Sequence, residues 1–229
     1  MRRDQTYLMY SLEIERMKRQ LKLTSRQKEI LLGKLLGDGH LETRDNGKTY
    51  RLKIEQSKQQ KSYVDWMQSE FKEWVRTPAQ LKEQKQLYHG EERTYYKYWF
   101  NTLSSGAFRF YAQQFYRNGK KEVPKAIYKW FTPLVLAVWY MDDGSIKSKT
   151  HRTVFLNTQG FDYKSIQYLQ EALWKKFVVK TTIRKQRDGM QIYIPSESVD
   201  LFLTTISPFV LPSMRYKLPK VWLTHMPKR

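Results

Sequence analysis

The chain has 229 residues, with 42 Lys and Arg against 22 Asp and Glu and a formal charge of +20. Basic residues run through its whole length, including segments that read as strands, and so large a surplus is self-repulsive unless a polyanion lies nearby; nucleic acid is the expected partner rather than a membrane surface. The absence of cysteine excludes disulfide frameworks, cysteine-zinc sites and thiol nucleophiles, and no apolar run approaches the length of a membrane span.

Residues 1–23 read as an N-terminal extension. Met1 is followed by charged, polar sequence without a signal-peptide core, and Asp4, Glu13 and Glu15 argue against a transit peptide. The chain is therefore expected to work in the compartment where it is made and not to be secreted. Thr24 with Gln27 makes a capping box that opens a helix to about Gly37. A short strand over 40–43 leads to the turn Asp45-Asn46-Gly47 and an alternating strand over 50–56; Asn-Gly marks a hairpin because both central residues tolerate positive φ. An amphipathic helix follows over 61–76, with Tyr63, Val64, Met67, Phe71, Trp74 and Val75 on its apolar side. A second hairpin spans 79–88 and 95–102, turning at His89-Gly90-Glu91, and a helix over 104–116 closes the half.

A Lys-rich connector over 117–131 holds Pro124. Thr132 and Pro133 form an N-cap and first-turn proline, opening a helix to about Asp142. A strand over 153–159, a helix over 162–177, strands over 179–185 and 190–194 around Arg187-Asp188-Gly189, and a helix to 206 capped by Ser196 complete the pattern. Each half thus reads helix, hairpin, helix, hairpin, helix. The domain boundaries that follow are 24–118, a linker at 119–131, 132–210 and a tail at 211–229.

Two runs repeat. Residues 31–39 are Leu-Leu-Gly-Lys-Leu-Leu-Gly-Asp-Gly and residues 136–144 are Leu-Ala-Val-Trp-Tyr-Met-Asp-Asp-Gly. A single Asp-Gly is ordinarily a helix-ending turn; two of them, each ending an apolar helix and each opening the same order of elements, point to chemistry. An aspartate at a helix C-terminus is disfavoured by about 0.3 to 1 kcal/mol, because that end already carries partial negative charge. Two such ends side by side repel further. A hard divalent cation between them removes both penalties, since carboxylate and carbonyl oxygens suit Mg2+ and waters or phosphate oxygens complete its octahedron. Such an ion serves phosphodiester hydrolysis by activating water and neutralising the leaving oxygen. Gly33, Gly37 and Ala137 are small enough for two helix backbones to approach, and runs that are apolar all round suit helices buried between subdomains.

The paired runs resemble the LAGLIDADG homing endonucleases in their single-chain, two-motif form, closest to the monomeric intron-encoded enzymes of mitochondrial introns. The resemblance extends to Gly47-Lys48-Thr49-Tyr50, Lys120-Lys121-Glu122-Val123-Pro124 and Met214-Arg215-Tyr216-Lys217-Leu218-Pro219. It implies an α+β fold of two pseudo-symmetric αββαββα subdomains, packed through the motif helices, with saddle-shaped antiparallel sheets facing DNA. The eighth motif position supplies the metal-binding acid, here Asp38 and Asp143; Gly37 and Asp142, one residue earlier, join the metal set, and Asp142 offers a second carboxylate. One basic residue per half near the cleavage site matches Lys121 and Lys217. A polar strand-end residue in each pocket matches Gln56 and Gln159, with Glu55 as an alternative to Gln56. The third motif position is Gly33 in one copy and Val138 in the other, and the sixth is Leu36 and Met141. The implied cofactor is Mg2+, with Mn2+ or Ca2+ able to take the same sites. The implied partner is double-stranded DNA, bound by a monomer away from membranes, in a mitochondrion, plastid or bacterial cytoplasm.

In such sheets one face packs on helices and the other meets the major groove, where Arg can read guanine and Gln adenine. Alternation places Arg51, Lys53 and Glu55 outward in the first half and Lys180, Thr182, Arg184 and Gln186 outward in the second. Lys120, Lys147, Lys149 and Arg152 are expected to contact phosphates. The aromatics are expected in the core. Two other readings stay open: an RNA-binding intron maturase on the same scaffold, and a zinc-type nuclease or structural nucleic-acid protein, against which stands the absence of ligand spacing among His40, His89, His151 and His225.

Overall fold

The capping box forms as the sequence requires. Gln27 N–H donates to Thr24 Oγ1 and Thr24 N–H to Gln27 Oε1, both at 3.1 Å, and helix α2 (Ser25–Leu36) starts there. In this computed structural model the described residues are 12–88, 90–148 and 150–224; His89, Lys149 and His225 lie outside them. Residues 12–20 form helix α1. The described residues divide into two compact units, 12–27 with 40–112 and 28–39 with 113–224, so the first motif run belongs to the second unit.

The first unit is built on an antiparallel sheet of strands β1 (His40–Glu42), β2 (Arg51–Ser57), β3 (Gln80–Tyr88) and β4 (Glu91–Asn101), in the order β1-β2-β4-β3. Asn46 and Gly47 both take positive φ, at 55° and 81°, as the Asn-Gly step demands. Strand β2 alternates strictly: Leu52, Ile54 and Gln56 are buried while Arg51, Lys53 and Glu55 face the other way. Helix α3 (Lys61–Glu70) buries Tyr63, Val64 and Met67. It is shorter than its apolar pattern predicts, because Phe71 leaves helical geometry (φ −111°, ψ 25°) and a 3-10 turn, Lys72–Trp74, takes over. That break lets Phe71 and Trp74 both bury fully. The last helix also starts late: Ser105 caps a 3-10 turn, Gly106–Phe108, before α4 (Arg109–Phe115).

The second unit has a matching sheet of β7 (Gly144–Ile146), β8 (Val154–Asn157), β9 (Thr182–Gln186) and β10 (Gly189–Ile194), in the order β7-β8-β10-β9. Helices α5 (Pro133–Asp143), α6 (Tyr163–Phe177) and α7 (Ser196–Ile206) supply its core. Thr132 Oγ1 accepts from Val135 N–H, so the expected cap forms, and Asp162 Oδ1 caps α6 by accepting from Ser165 N–H. Ser196 does not cap: it is already the first helical residue, and Pro195 stands at the cap without a side-chain bond. The strand expected from Val179 begins only at Thr182, so Lys180 precedes it. The connector is folded, with a two-residue hairpin of β5 (Tyr116–Arg117) and β6 (Lys120–Lys121), a 3-10 turn Lys125–Lys129, and a Val123 N–H to Ser165 Oγ bond of 3.0 Å. A short helix α8 (Lys220–Leu223) ends the described chain. Among the described residues no helix is long and apolar enough to cross a membrane.

Helix α6 ends on a β-branched residue in left-handed geometry, Val178 at φ 57°, exposed to solvent. L-residues with a Cβ are strained there by about 1–2 kcal/mol. Val178→Gly should therefore raise the unfolding free energy by about 1 kcal/mol, after the extra chain entropy of glycine is subtracted; an unchanged or lower urea midpoint would refute this.

Candidate active site

The site grows from the contact between α2 and α5. A Cβ on Gly33 would lie 2.6 Å from Val138 Cβ and 2.7 Å from the Val135 carbonyl oxygen, so glycine at one third motif position admits valine at the other. One turn further, a Cβ on Gly37 would overlap the Asp142 carboxylate. That carboxylate is turned beneath Gly37, where Lys34 Nζ donates to its oxygens at 2.7 Å and Asp38 N–H donates to Oδ2 at 3.0 Å. Neither side chain of the Lys34–Asp142 pair has any solvent exposure. Burial pushes the Asp142 carboxyl up, and Lys34 opposes it.

Asp38 stands two residues beyond the end of α2 and is exposed; Asp143 is the last residue of α5 and half-buried. The two flanking lysines reach in alike. Lys121 Nζ donates to the Gly37 and Gly39 carbonyls at 2.7 and 2.9 Å, and Lys217 Nζ donates to the Asp142 carbonyl at 2.5 Å. Each ammonium thus sits on the carbonyl of the residue preceding a motif acid. Tyr140 O–H donates to the Lys217 carbonyl at 2.7 Å and fixes the tail segment that carries this lysine. Burial pulls Lys121 down to about 8, against the upward influence of Asp143, Asp142 and Asp38. Burial also pulls Lys217 down. Asp143 is pushed up to about 8, first by burial and then by the negative charges of Asp142 and Asp38.

This last shift has a definite sign. The folded chain binds a proton at Asp143 more tightly than the unfolded chain does, so its contribution to stability is full below the ordinary carboxylate value and is lost as pH rises toward about 8. Asp143→Asn imitates the protonated form at every pH. Without divalent cation, the Asn variant should gain thermal stability over the parent between about pH 5 and pH 8, an advantage that MgCl2 diminishes. Parallel melting curves at the two pH values check this.

A hard cation fits these donors. Two carboxylates converge with carbonyls that already attract ammonium groups, a set of oxygens suited to Mg2+. Among the described residues no group of three or more His, Cys, Asp or Glu could hold an ion, so an ion here needs waters or substrate oxygens to complete its shell. Asp142 does not add a third carboxylate to that set, because Lys34 and the Asp38 amide occupy its oxygens; its carbonyl remains alongside that of Gly37.

The remaining predicted residues are placed unevenly. Gln159 follows β8 at the end where Gly144 pairs with Leu156, which is the Asp143 end of its sheet, and its backbone packs against Gly189. Gln56 lies on the core face of β2, 6% exposed, with Leu52 and Ile54. On the other face Glu55 accepts from Lys82 and from Lys97, and Glu42 accepts from Arg51 and pairs with Lys53 at 3.2 Å. In the second sheet, register brings Thr182, Arg184 and Gln186 beside Tyr193, Gln191 and Gly189. There Arg184 stacks over Phe155 and Tyr193, at 5.5 and 5.3 Å from the ring centres. Gln186 donates to Gln191, which donates to Asn157, at 2.8 and 2.6 Å. Lys120, Lys147 and Lys180 are exposed, and Arg152 pairs with Asp200 at 3.1 Å.

A family model described as the LAGLIDADG DNA endonuclease family matches residues 28–202. The chain belongs to this family. Among its LAGLIDADG relatives, cytochrome b mRNA maturase bI2 of Saccharomyces cerevisiae is 34% identical over 82% of this chain, which spans 46% of that protein's length. Probable intron-encoded endonuclease 1 of Wickerhamomyces canadensis is 30% identical, covering 86% of this chain and 85% of its own. DNA endonuclease I-ChuI of Chlamydomonas applanata is 29% identical over 86% of this chain and 96% of its own. Among solved structures, the homing endonuclease I-WcaI bound to its DNA recognition sequence superimposes with a TM-score of 0.80 and 29% identity, over 90% of this chain and 91% of that one. The LAGLIDADG architecture, α+β with two antiparallel sheets, is the one seen here.

Lys34, Tyr140, Glu42, Lys82 and Lys97 are the residues of these arrangements that sequence reasoning missed. For Lys34 a signal existed: a lysine inside an otherwise apolar run must find a partner. The expectation of core aromatics was too simple: Phe155 is buried, though beneath Arg184, whereas Tyr88, Tyr95, Tyr96, Phe110, Tyr163, Trp174 and Tyr216 are exposed.

Proposed function

We propose that this chain is a site-specific endonuclease that hydrolyses both strands of a long, non-palindromic DNA duplex, using a divalent cation held by Asp38 and Asp143. The observation that carries the reading is the convergence of these two acids with the Gly37 and Asp142 carbonyls and two lysines of depressed pKa. I-WcaI, which superimposes on this chain, is described bound to its DNA recognition sequence. Both motif copies lie on one chain, which suits action as a monomer. A bound Mg2+ would activate water and neutralise charge on the leaving oxygen.

The chain's own residues do the rest. Asp38 and Asp143 carry the negative charge that holds the cation. Lys121, poised near pH 8, and Lys217 stand where they can donate hydrogen bonds to a phosphate oxygen or to water, and a lysine at such a pKa can release a proton near neutral pH. Gln159 lies at the Asp143 end of its sheet and can orient water. The outward face of the first sheet carries Arg51, Lys53 and Glu55, and that of the second Thr182, Arg184 and Gln186; these would read base edges. Lys120, Lys147, Arg152 and Lys180 would hold phosphates.

The direct test uses the duplex formed by joining the DNA that flanks the reading frame, incubated with the protein in MgCl2 or in EDTA. Cutting of both strands in MgCl2 alone is expected; no cutting of this duplex or of a randomised duplex library in MgCl2 rejects the enzyme. If phosphate contacts dominate, affinity for the same duplex should fall by roughly 10³-fold or more between about 50 and 200 mM salt. A flat salt dependence would contradict that. A second reading, RNA binding as an intron maturase, is favoured by the 34% identity to a relative named an mRNA maturase. Splicing assistance that survives Asp38→Asn would establish it beside cleavage.

A further inference from the structure

The two acids are held by different means. Asp143 lies inside α5, whose geometry offers its amide a carbonyl four residues back. Asp38 lies outside α2, and the carbonyl that a continued helix would give its amide, that of Lys34, is taken by Gly39 N–H at 2.7 Å. The Asp38 amide donates instead to the Asp142 carboxylate at 3.0 Å. At the corresponding place beside Asp143 stands Gly37, which has no side chain to offer. The support is therefore one-sided.

Lys34 explains how a carboxylate can serve this purpose in a dry interface. With Lys34 Nζ at 2.7 Å, and no exposure on either side chain, the oxygens of Asp142 are held under the Asp38 amide. Neither side chain has any solvent exposure, so neither is a direct contact for a duplex.

We infer that Asp142, braced by Lys34, is the positioning residue for Asp38, so that cleavage at one strand depends on a tether that cleavage at the other does not share. The inference rests on the endonuclease reading for its consequence, but the tether itself can be measured without cleavage.

Two double variants separate the tether from the burial of charge. Lys34→Met with Asp142→Asn removes both charges and keeps an acceptor for the Asp38 amide; Lys34→Met with Asp142→Ala removes both charges and the acceptor. Hydrogen exchange at the Asp38 amide should stay slow in the first and accelerate in the second. With each strand of the flanking-DNA duplex separately labelled, the ratio of the two nicking rates should shift about tenfold in the Ala variant and stay close to the parent's in the Asn variant. The same exchange rate in both variants, or an equal slowing of both strands in the Ala variant, overturns the proposal. Should the parent cut no duplex, the endonuclease reading fails, and the exchange contrast still decides whether the tether exists.

Discussion

Asp38→Asn and Asp143→Asn should each slow the proposed cleavage by roughly 10²-fold or more while leaving the affinity for the same duplex near that of the parent. The separation follows from where the groups act. Asn keeps the size of Asp but surrenders the charge that makes the cluster attractive to a divalent cation, and the reacting phosphate then meets a site without that cation. On the proposed reading affinity would depend instead on lysines and arginines spread over the sheets and loops, and removing one negative charge close to a polyanion would do nothing to weaken it. Nicking of labelled duplex together with filter binding in EDTA measures both quantities. A variant that cuts at the parent's rate removes that acid from the machinery; a variant that also loses binding means the acid's role is structural.

Lys34→Met alone, or Asp142→Asn alone, should cost about 3–5 kcal/mol of stability, whereas the two together should recover most of it. Each single change leaves one charge sealed in an interface with 0% exposure on either partner, and burying an unpaired charge is among the larger penalties available to a point mutation. The paired change leaves neutral groups of similar length. For a chain of this size such a loss corresponds to a fall in melting temperature of roughly 10 °C. A double-mutant cycle by thermal or urea denaturation settles it: additive costs would mean that the pair contributes no coupling, and the burial argument would be wrong.

Much of the fold was legible because its signals are local. Thr24-Gln27 and Thr132-Pro133 open helices through bonds between residues three apart, and Asn46-Gly47 bends the chain through two positive φ angles. The alternation of β2 is visible in seven consecutive letters. Asp38 and Asp143 were legible for a related reason, since repetition of a short run marks them without reference to anything distant. What stayed hidden depends on partners far along the chain. Lys34 and Asp142 are separated by 108 positions, and only the packing of Gly33 on Val138 brings them within reach, so the extra acid read naturally as a spare ligand. The break at Phe71 was hidden too, because Phe71 and Trp74 keep the period of a helix while a 3-10 turn is what buries both. The connector over 117–131 looked like a basic linker, and its folding is fixed by Ser165, more than forty residues on.

The clasp of Glu55 by Lys82 and Lys97 bears on how a protein of this design changes allegiance. The three side chains come from three adjacent strands of one sheet, and each holds the others' charge in balance. Replacing Glu55 alone strands two lysines side by side; replacing one lysine frees the carboxylate to repel whatever polyanion approaches. On the proposed reading, adapting to a new target would change the three together, because their charges are coupled. Libraries built to retarget this chain should vary positions 55, 82 and 97 jointly, because a change at one of them alters the charge that the other two must balance.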